Sequence, residues 1–199
     1  MAPKLIITYQ DLKIRFPMRC ILVGSSGGGK TFFCLQLIRY SNEMFTVNPD
    51  RIIFFYSIMQ KEMEELGKVD KRIQFIHESE FNCDIYLEKP QDENLLLILD
   101  DMMSNNIYED LSNLFCKYSR HLNIGVVFMT QNPFHRGAAN SIRFNRDILA
   151  NSNEIVLFRS PRLVKIRPIL VHIDVKNYYI YYIFNFPFFF LGKLWQHSL

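Results

Sequence analysis

The feature that most constrains this sequence is a glycine-rich turn set between an apolar run and a helical pattern. The turn, residues 24–31 (GSSGGGKT), follows the run Cys20–Val23 and meets the pattern G-x-x-x-x-G-K-[ST]. Glycines let successive N–H groups point at one anion, and the following helix N-terminus adds partial positive charge. The turn therefore predicts a phosphate-binding site in an α/β fold. The alternative, a flexible Gly/Ser loop, leaves the flanking strand and helix unexplained.

Each part of the turn has an expected role in binding a nucleoside triphosphate and its cation, Mg²⁺. We expect Lys30 to reach the β- and γ-phosphates and the Thr31 hydroxyl to bind Mg²⁺. The backbone of the whole turn is expected to surround the phosphates. The predicted nucleotide-binding residues are Gly24, Ser25, Ser26, Gly27, Gly28, Gly29, Lys30 and Thr31.

Composition and charge set broad bounds on the protein. Of 199 residues, 49% are hydrophobic and 22% charged, which suits one globular domain with a packed core. The net charge of +3 permits a polyanionic partner without requiring one. Four scattered cysteines and a charged N-terminus without an apolar leader predict reduced thiols and an intracellular protein. We expect one domain over residues 1–170 and a distinct aromatic tail over residues 171–199.

A second informative segment, residues 94–101 (NLLLILDD), places two carboxylates after five large aliphatic residues. The run is too short for a membrane span and indicates a central parallel strand. Ligands bind at the carboxyl ends of such strands. We therefore expect Asp100 to hold the Mg²⁺ shell, through water, and Asp101 to orient or deprotonate the attacking water. The alternative makes the two acids an N-cap and first-turn charge of the next helix.

Apolar blocks and helical patterns alternate along the rest of the chain. This alternation predicts a mostly parallel sheet flanked by helices. An edge strand is also expected at Leu5–Ile7. Further strands are predicted at residues 51–57, 72–77, 126–129 and 154–158, with helices from residue 32 to about residue 42, at 60–68 and at 106–120.

Polar and basic residues follow the late strands. Gln131 is expected beside Asp101, where it would sense the γ-phosphate or position water, and a solvent-facing loop amide is the equal alternative. Between His135 and Pro168 there are seven basic residues and only two acids, a density that suits contacts to phosphate backbones or an arginine supplied to a neighbouring subunit's nucleotide. A solvated basic face is the alternative. By position, the candidates for such an arginine are Arg146, Arg159 and Arg162.

The aromatic segment Tyr178–Leu191 (YYIYYIFNFPFFFL) stands apart from the rest of the sequence. It is shorter than the roughly 18 apolar residues that a membrane-spanning helix needs, so a transmembrane helix is not expected. Three interpretations stay open: a strand pair closing the sheet, a membrane-interface or oligomer patch, and a non-native ending.

Several segments together resemble one known family. GSSGGGKT, LLLILDD, the block LFCKYSRHLNIGVVFMTQNPFHRG, and the RDI and IVLFRSPR segments resemble the DNA-packaging ATPases of double-stranded DNA viruses, poxvirus-type, and of Polinton (Maverick) elements. These ATPases belong to the FtsK/HerA group of P-loop motors. The resemblance covers residues 15–165, and the SRHLNIGVVFMTQNPF block is its most specific part.

The resemblance implies a fold, an activity and partners. It implies a P-loop NTPase fold with an additional strand between the phosphate-loop strand and the acidic strand. It also implies a homo-oligomeric ring that hydrolyses ATP to move double-stranded DNA into a capsid, with capsid or portal-type proteins as further partners. Residence in the host cytoplasm or nucleus, or association with the virion, would follow.

Carried over by position, the family's roles fall on the residues already singled out. Lys30 and Thr31 would bind phosphate and Mg²⁺, Asp100 the metal and Asp101 the water, with Gln131 as the sensor. An aspartate stands where the wider group commonly has a catalytic glutamate. Two alternatives stay open: another P-loop DNA-dependent ATPase, such as a helicase or pump, and a truncated nucleotide-binding remnant without turnover.

Overall fold

The computed structural model describes residues 13–82, 84–102, 107–131 and 147–158. It also gives the backbone path of residues 169–174 and 179–183, and for residues 107 and 108 likewise the backbone alone. The predicted strand Leu5–Ile7 lies outside the described residues. The same holds for Arg146, Arg159 and Arg162.

The described strands form one sheet in which most neighbours are parallel. The strands are β1 Arg19–Val23, β2 Arg51–Tyr56, β3 Ile73–His77, β4 Leu95–Asp100, β5 Ile124–Thr130, β6 Glu154–Leu157, β7 Ile169–Asp174 and β8 Tyr179–Ile183. Their order across the sheet is β3-β2-β4-β5-β1-β6-β7-β8. Neighbours from β3 to β6 pair in parallel, whereas β7 and β8 add in antiparallel fashion. The predicted mostly parallel sheet is confirmed.

One strand separates the strand before the glycine-rich turn from the acidic strand. β5 pairs with β1 on one side, with Leu22 opposite Met129, and with β4 on the other, with Leu99 opposite Phe128. The additional strand implied by the family resemblance is therefore present. All seven residues of β5 are buried, as expected for a central strand of a sheet covered on both faces.

Helices cover both faces of this sheet. They are α1 Lys30–Arg39, α2 Ser41–Met44, α3 Lys61–Val69, α4 Asp84–Leu87, α5 Ile107–Asn113, α6 Ser119–His121 and α7 over residues 147–151. A π-helical segment, Leu114–Tyr118, joins α5 to α6, so the predicted helix over 106–120 forms with a local change of pitch. A short 3₁₀ turn, Glu78–Glu80, follows β3.

The core consists of two apolar layers, one on each face of the sheet. Alternate residues of each strand point to opposite faces, so Leu22 lies in the layer that includes residues of α1 and α3, whereas Ile21 lies in the layer that includes residues of α4, α5 and α7. Because both faces need apolar cover, the central strands read as continuous apolar runs. This explains why β2 and β4 are recognisable as blocks in the sequence.

The parallel arrangement brings three functional segments to one edge. The glycine-rich turn follows β1, the two carboxylates end β4, and Gln131 follows β5. Since β1, β5 and β4 are neighbours running the same way, their carboxyl ends are adjacent. The sheet order therefore assembles the candidate site.

Part of the aromatic segment lies in the sheet. Residues 179–183 form β8, which pairs with β7. For these residues the structure agrees with the interpretation of the segment as part of a strand pair. The remainder of Tyr178–Leu191 lies outside the described residues, and the division of the chain near residue 170 stays a prediction. In the part of the chain that the structure describes, no helix has the length and apolar character needed to cross a bilayer.

Candidate nucleotide-binding site

The phosphate loop, residues 24–31, adopts a conformation that needs glycine at two positions. Gly27 has φ 71° and Gly29 has φ 91°, both in the left-handed region that disfavours other residues. The Gly28 N–H donates to the carbonyl oxygen of Ser25 at 3.1 Å and closes the turn. Gly29 caps α1 without a side-chain hydrogen bond, which leaves the first N–H groups of the helix facing the loop.

Lys30 lies inside the loop that it follows. Its Nζ donates to the carbonyl oxygens of Gly24 at 2.6 Å and Ser25 at 3.2 Å, and the residue is only 8% exposed. A buried ammonium with carbonyl partners is a fixed positive charge at the centre of the turn. The loop is thus organised to receive a polyanion.

Thr31 and Asp100 form the part of the site that fits a divalent cation. The Thr31 hydroxyl donates to Asp100 Oδ2 at 3.4 Å, which joins the first turn of α1 to the end of β4. Hydroxyl and carboxylate oxygens suit Mg²⁺, which usually takes one or two protein ligands together with substrate phosphates. No cluster of three His, Cys, Asp or Glu side chains able to hold a metal alone occurs among the described residues. The donor set therefore fits Mg²⁺ bound together with a nucleotide.

Asp100 is charged at an energetic cost. Burial raises the pKa of its carboxyl group, and the neighbouring Asp101 raises the pKa further. Lys30 and the hydrogen bond from Thr31 oppose that rise without cancelling it. A carboxyl group whose pKa is raised on folding binds more protons in the native than in the unfolded state, so its ionisation destabilises the fold as pH rises.

We expect Asp100→Asn to stabilise the metal-free protein at neutral pH, by about 0.5–2 kcal/mol. The asparagine can accept the Thr31 hydrogen bond without carrying a buried charge. The gain should shrink as pH falls through the raised folded pKa and vanish below the ordinary aspartate value of 3.8. Urea unfolding in EDTA across this pH range measures it. A loss of stability at neutral pH would contradict this account of Asp100.

Asp101 and Gln131 are in direct contact. Gln131 Nε2 donates to Asp101 Oδ2 at 2.7 Å, and the Asp101 N–H donates to the carbonyl oxygen of Met129 at 3.1 Å. Asp101 has φ 49°, a left-handed conformation unusual outside glycine. Its second oxygen, Oδ1, is buried and has no hydrogen-bond partner among the described residues. Gln131 therefore holds one oxygen of the carboxylate, and the other is buried with its hydrogen-bonding capacity unused among the described residues.

The structure brings the predicted loop residues, Thr31, Asp100, Asp101 and Gln131 to one edge of the sheet. Gln131 is exposed to solvent and also donates a hydrogen bond to Asp101. The two positions expected for it from sequence, in solvent and beside Asp101, therefore occur together. The catalytic and metal-binding roles of these side chains stay predictions. Phe158 contacts the loop, and the sequence patterns gave it no role. The one signal for such a role was its position at the end of a predicted strand, where ligand-binding segments of a parallel sheet lie.

A strand–glycine loop–helix unit beside an acidic strand in a parallel sheet is the arrangement of a P-loop NTPase fold, here with one additional strand between the two. The sequence match to a protein family is equally direct. The chain belongs to the family of the Poxvirus A32 protein, which matches residues 7–185.

Similarity to solved structures is broad and distant. The chain resembles "The cytoplasmic domain of EssC", with 10% identity and a TM-score of 0.48, over 92% of this chain and 46% of that one. It also resembles "Crystal structure of the RadB recombinase", with 12% identity and a TM-score of 0.46, over 81% of this chain and 90% of that one. The chain thus spans less than half of the EssC structure. No curated protein matches the sequence.

Proposed function

We propose that this protein is a Mg²⁺-dependent ATPase that translocates double-stranded DNA during the packaging of a viral or virus-like genome. The observation that carries the ATPase proposal is the Asp101–Gln131 contact at the mouth of the phosphate loop. A phosphate loop alone accounts for binding, whereas a positioned carboxylate beside it accounts for hydrolysis. Membership in the Poxvirus A32 protein family supports the DNA-packaging part.

Binding would rest on the loop backbone and Lys30. The N–H groups of residues 24–31 would surround the β- and γ-phosphates, and Lys30 would exchange its carbonyl partners for phosphate oxygens. Thr31 and Asp100 would hold Mg²⁺. When bound, Mg²⁺ neutralises charge that develops on the phosphate oxygens.

The carboxylate of Asp101 would act on the attacking water. Gln131 fixes Oδ2, and Oδ1, which lacks a partner among the described residues, would orient the water and accept its proton once nucleotide binding opens it to that water. The Gln131 amide would also report the γ-phosphate, since its side chain is exposed at the end of β5. A change in the γ-phosphate would thereby reach the water-activating carboxylate.

Work on DNA needs further parts of the protein. We propose that basic residues between His135 and Pro168 contact the DNA phosphates. A homo-oligomeric ring would place Arg146, Arg159 or Arg162 of one subunit at the nucleotide of its neighbour. Capsid or portal-type proteins would be the partners in packaging, in the host cytoplasm or nucleus or at the virion. A Polinton element, as well as a virus, could encode an ATPase of this kind.

ATP turnover measured with and without duplex DNA tests the proposal. We expect turnover that duplex DNA stimulates, because a motor couples each hydrolysis to movement along its track. The variants Lys30→Met and Asp101→Asn serve as inactive references. Light scattering with a non-hydrolysable ATP analogue tests the ring, and a strict monomer would argue against an arginine supplied in trans.

Each rival predicts a different result in the same assay. A helicase would respond to single-stranded DNA more than to duplex. A nucleotide-binding remnant would bind ATP yet turn it over no faster than Asp101→Asn. Either outcome would replace the packaging proposal.

A further inference from the structure

Phe158 lies where the strand next to the phosphate loop ends. It is the residue after β6, is 9% exposed, and packs in the apolar layer beneath α1. Its N–H donates to the carbonyl oxygen of Val23 at 2.7 Å, beyond the last paired position of β1 and β6. Val23 immediately precedes the loop, so Phe158 anchors the strand at the point where the loop begins.

Phe158 also lies directly against the first glycine of the loop. A Cβ atom built on Gly24 would lie 2.5 Å from the Cβ of Phe158 and 3.0 Å from its carbonyl oxygen. Only glycine permits that approach without displacement. On its other side, the Gly24 N–H donates to the carbonyl oxygen of Thr130 at 3.1 Å. The start of the loop is thus held between the ends of β5 and β6.

The ring of Phe158 reaches the helix that follows the loop. Its centroid lies 5.7 Å from that of Phe33, with the rings at 74°, an edge-to-face arrangement. Phe33 belongs to the first turn of α1, where its N–H donates to the carbonyl oxygen of Gly29 at 2.9 Å. One residue therefore contacts the segments on both sides of the loop.

From these contacts we infer that Phe158 is a positioning residue that fixes the phosphate loop between β1 and α1, and so sets ATP affinity. It lies behind the loop, so it acts through the loop backbone. Its ring spans the gap between the end of β6 and the first turn of α1. Loss of the ring would let the loop and α1 shift relative to each other. The effect on ATP affinity rests on the proposed function, whereas the effect on the conformational order of the loop does not.

The test uses Phe158→Ala and Phe158→Leu in the full chain. Without nucleotide, hydrogen exchange should become faster in peptides covering residues 24–33 of Phe158→Ala. Its Kd for MgATP should rise about tenfold, a loss of about 1.4 kcal/mol, because displaced loop N–H groups would form weaker charge-assisted hydrogen bonds to the phosphates. At saturating ATP the turnover should fall less than the affinity. Phe158→Leu, which keeps much of the bulk beyond the Cβ, should show a smaller change.

Phe75 provides a matched control. Its ring packs against Phe54 at 5.5 Å, and its strand, β3, is separated from β1 by β2, β4 and β5. Phe75→Ala and Phe75→Leu remove the same groups from an aromatic pair that does not touch the loop. Both variants should leave the Kd for MgATP, the ATP turnover and the hydrogen exchange of residues 24–33 unchanged.

The outcomes separate this inference from the proposed function. Loop exchange and Kd at wild-type levels in a folded Phe158→Ala would overturn the inference, as would equal changes in Phe75→Ala. If Phe158→Ala does not fold, faster loop exchange in Phe158→Leu than in Phe75→Leu is the supporting result, and equal exchange the overturning one. If the wild type binds no ATP, the proposed function fails, and loop exchange alone decides the role of Phe158.

Discussion

Lys30→Met is expected to lower ATP turnover about 100- to 1,000-fold, the usual cost of removing one preorganised charge donor from an active site. The lysine is buried in the loop, where its ammonium faces the carbonyl oxygens of Gly24 and Ser25. Methionine retains the length and apolar stem of the side chain but cannot neutralise phosphate charge. Binding of MgATP should weaken together with turnover, since Lys30 would contact the phosphates before and during the reaction.

Lys89 offers a matched control for this substitution. It is 9% exposed, and its Nζ donates to the carbonyl oxygens of Pro90 at 2.8 Å and Glu93 at 2.7 Å. It lies in the turn that leads to the amino end of β4, away from the phosphate loop. Lys89→Met should reduce the midpoint of thermal unfolding because it leaves those carbonyls without their donor, but it should retain turnover. Wild-type turnover in Lys30→Met would refute the proposed role of the lysine.

Asp101→Asn is expected to lower turnover by about 100- to 10,000-fold, the range associated with loss of a general base. Binding of MgATP should stay close to that of wild type, because the carboxylate would act on water. Asparagine is the appropriate replacement, since it tolerates the left-handed conformation at φ 49° better than alanine. Its amide oxygen can still accept the hydrogen bond from Gln131, but the amide cannot take a proton at neutral pH.

Fluorescent-nucleotide titration and single-turnover hydrolysis separate the two effects. Asn123 supplies the control, because it is the other non-glycine residue with positive φ in the described chain, at 51°, and it precedes β5 at the opposite edge. The reverse exchange, Asn123→Asp, should leave turnover unchanged. Equal loss in both variants would mean that backbone strain, and not the carboxylate, explains the effect at Asp101.

Much of the site was predictable because its signals are local. The phosphate loop needs glycine where the backbone is left-handed, and Gly27 and Gly29 have that conformation. The acidic pair could be placed at a strand end because β4 is buried on both faces and ends where charge begins. These relations connect residues close together in the chain, so the sequence records them directly.

The contact of Gln131 with Asp101 depends on strand order. Thirty positions separate the two residues, and nothing in either segment specifies that β5 lies beside β4. From residue types alone, a loop amide in solvent and a partner of Asp101 were equal interpretations. Family resemblance favoured the second, and the sheet order brings the two side chains within 2.7 Å.

The sequence by itself determined the loop, the acidic strand and the mainly parallel α/β class, because glycine placement, aliphatic runs and their spacing are local chemistry. Only the tertiary structure decided which strands are neighbours. That order depends on packing between segments far apart in the chain, and a single strand's pattern does not encode its neighbour. The same packing sets Phe158 against Gly24, a contact across 134 positions that explains why the loop must begin with glycine.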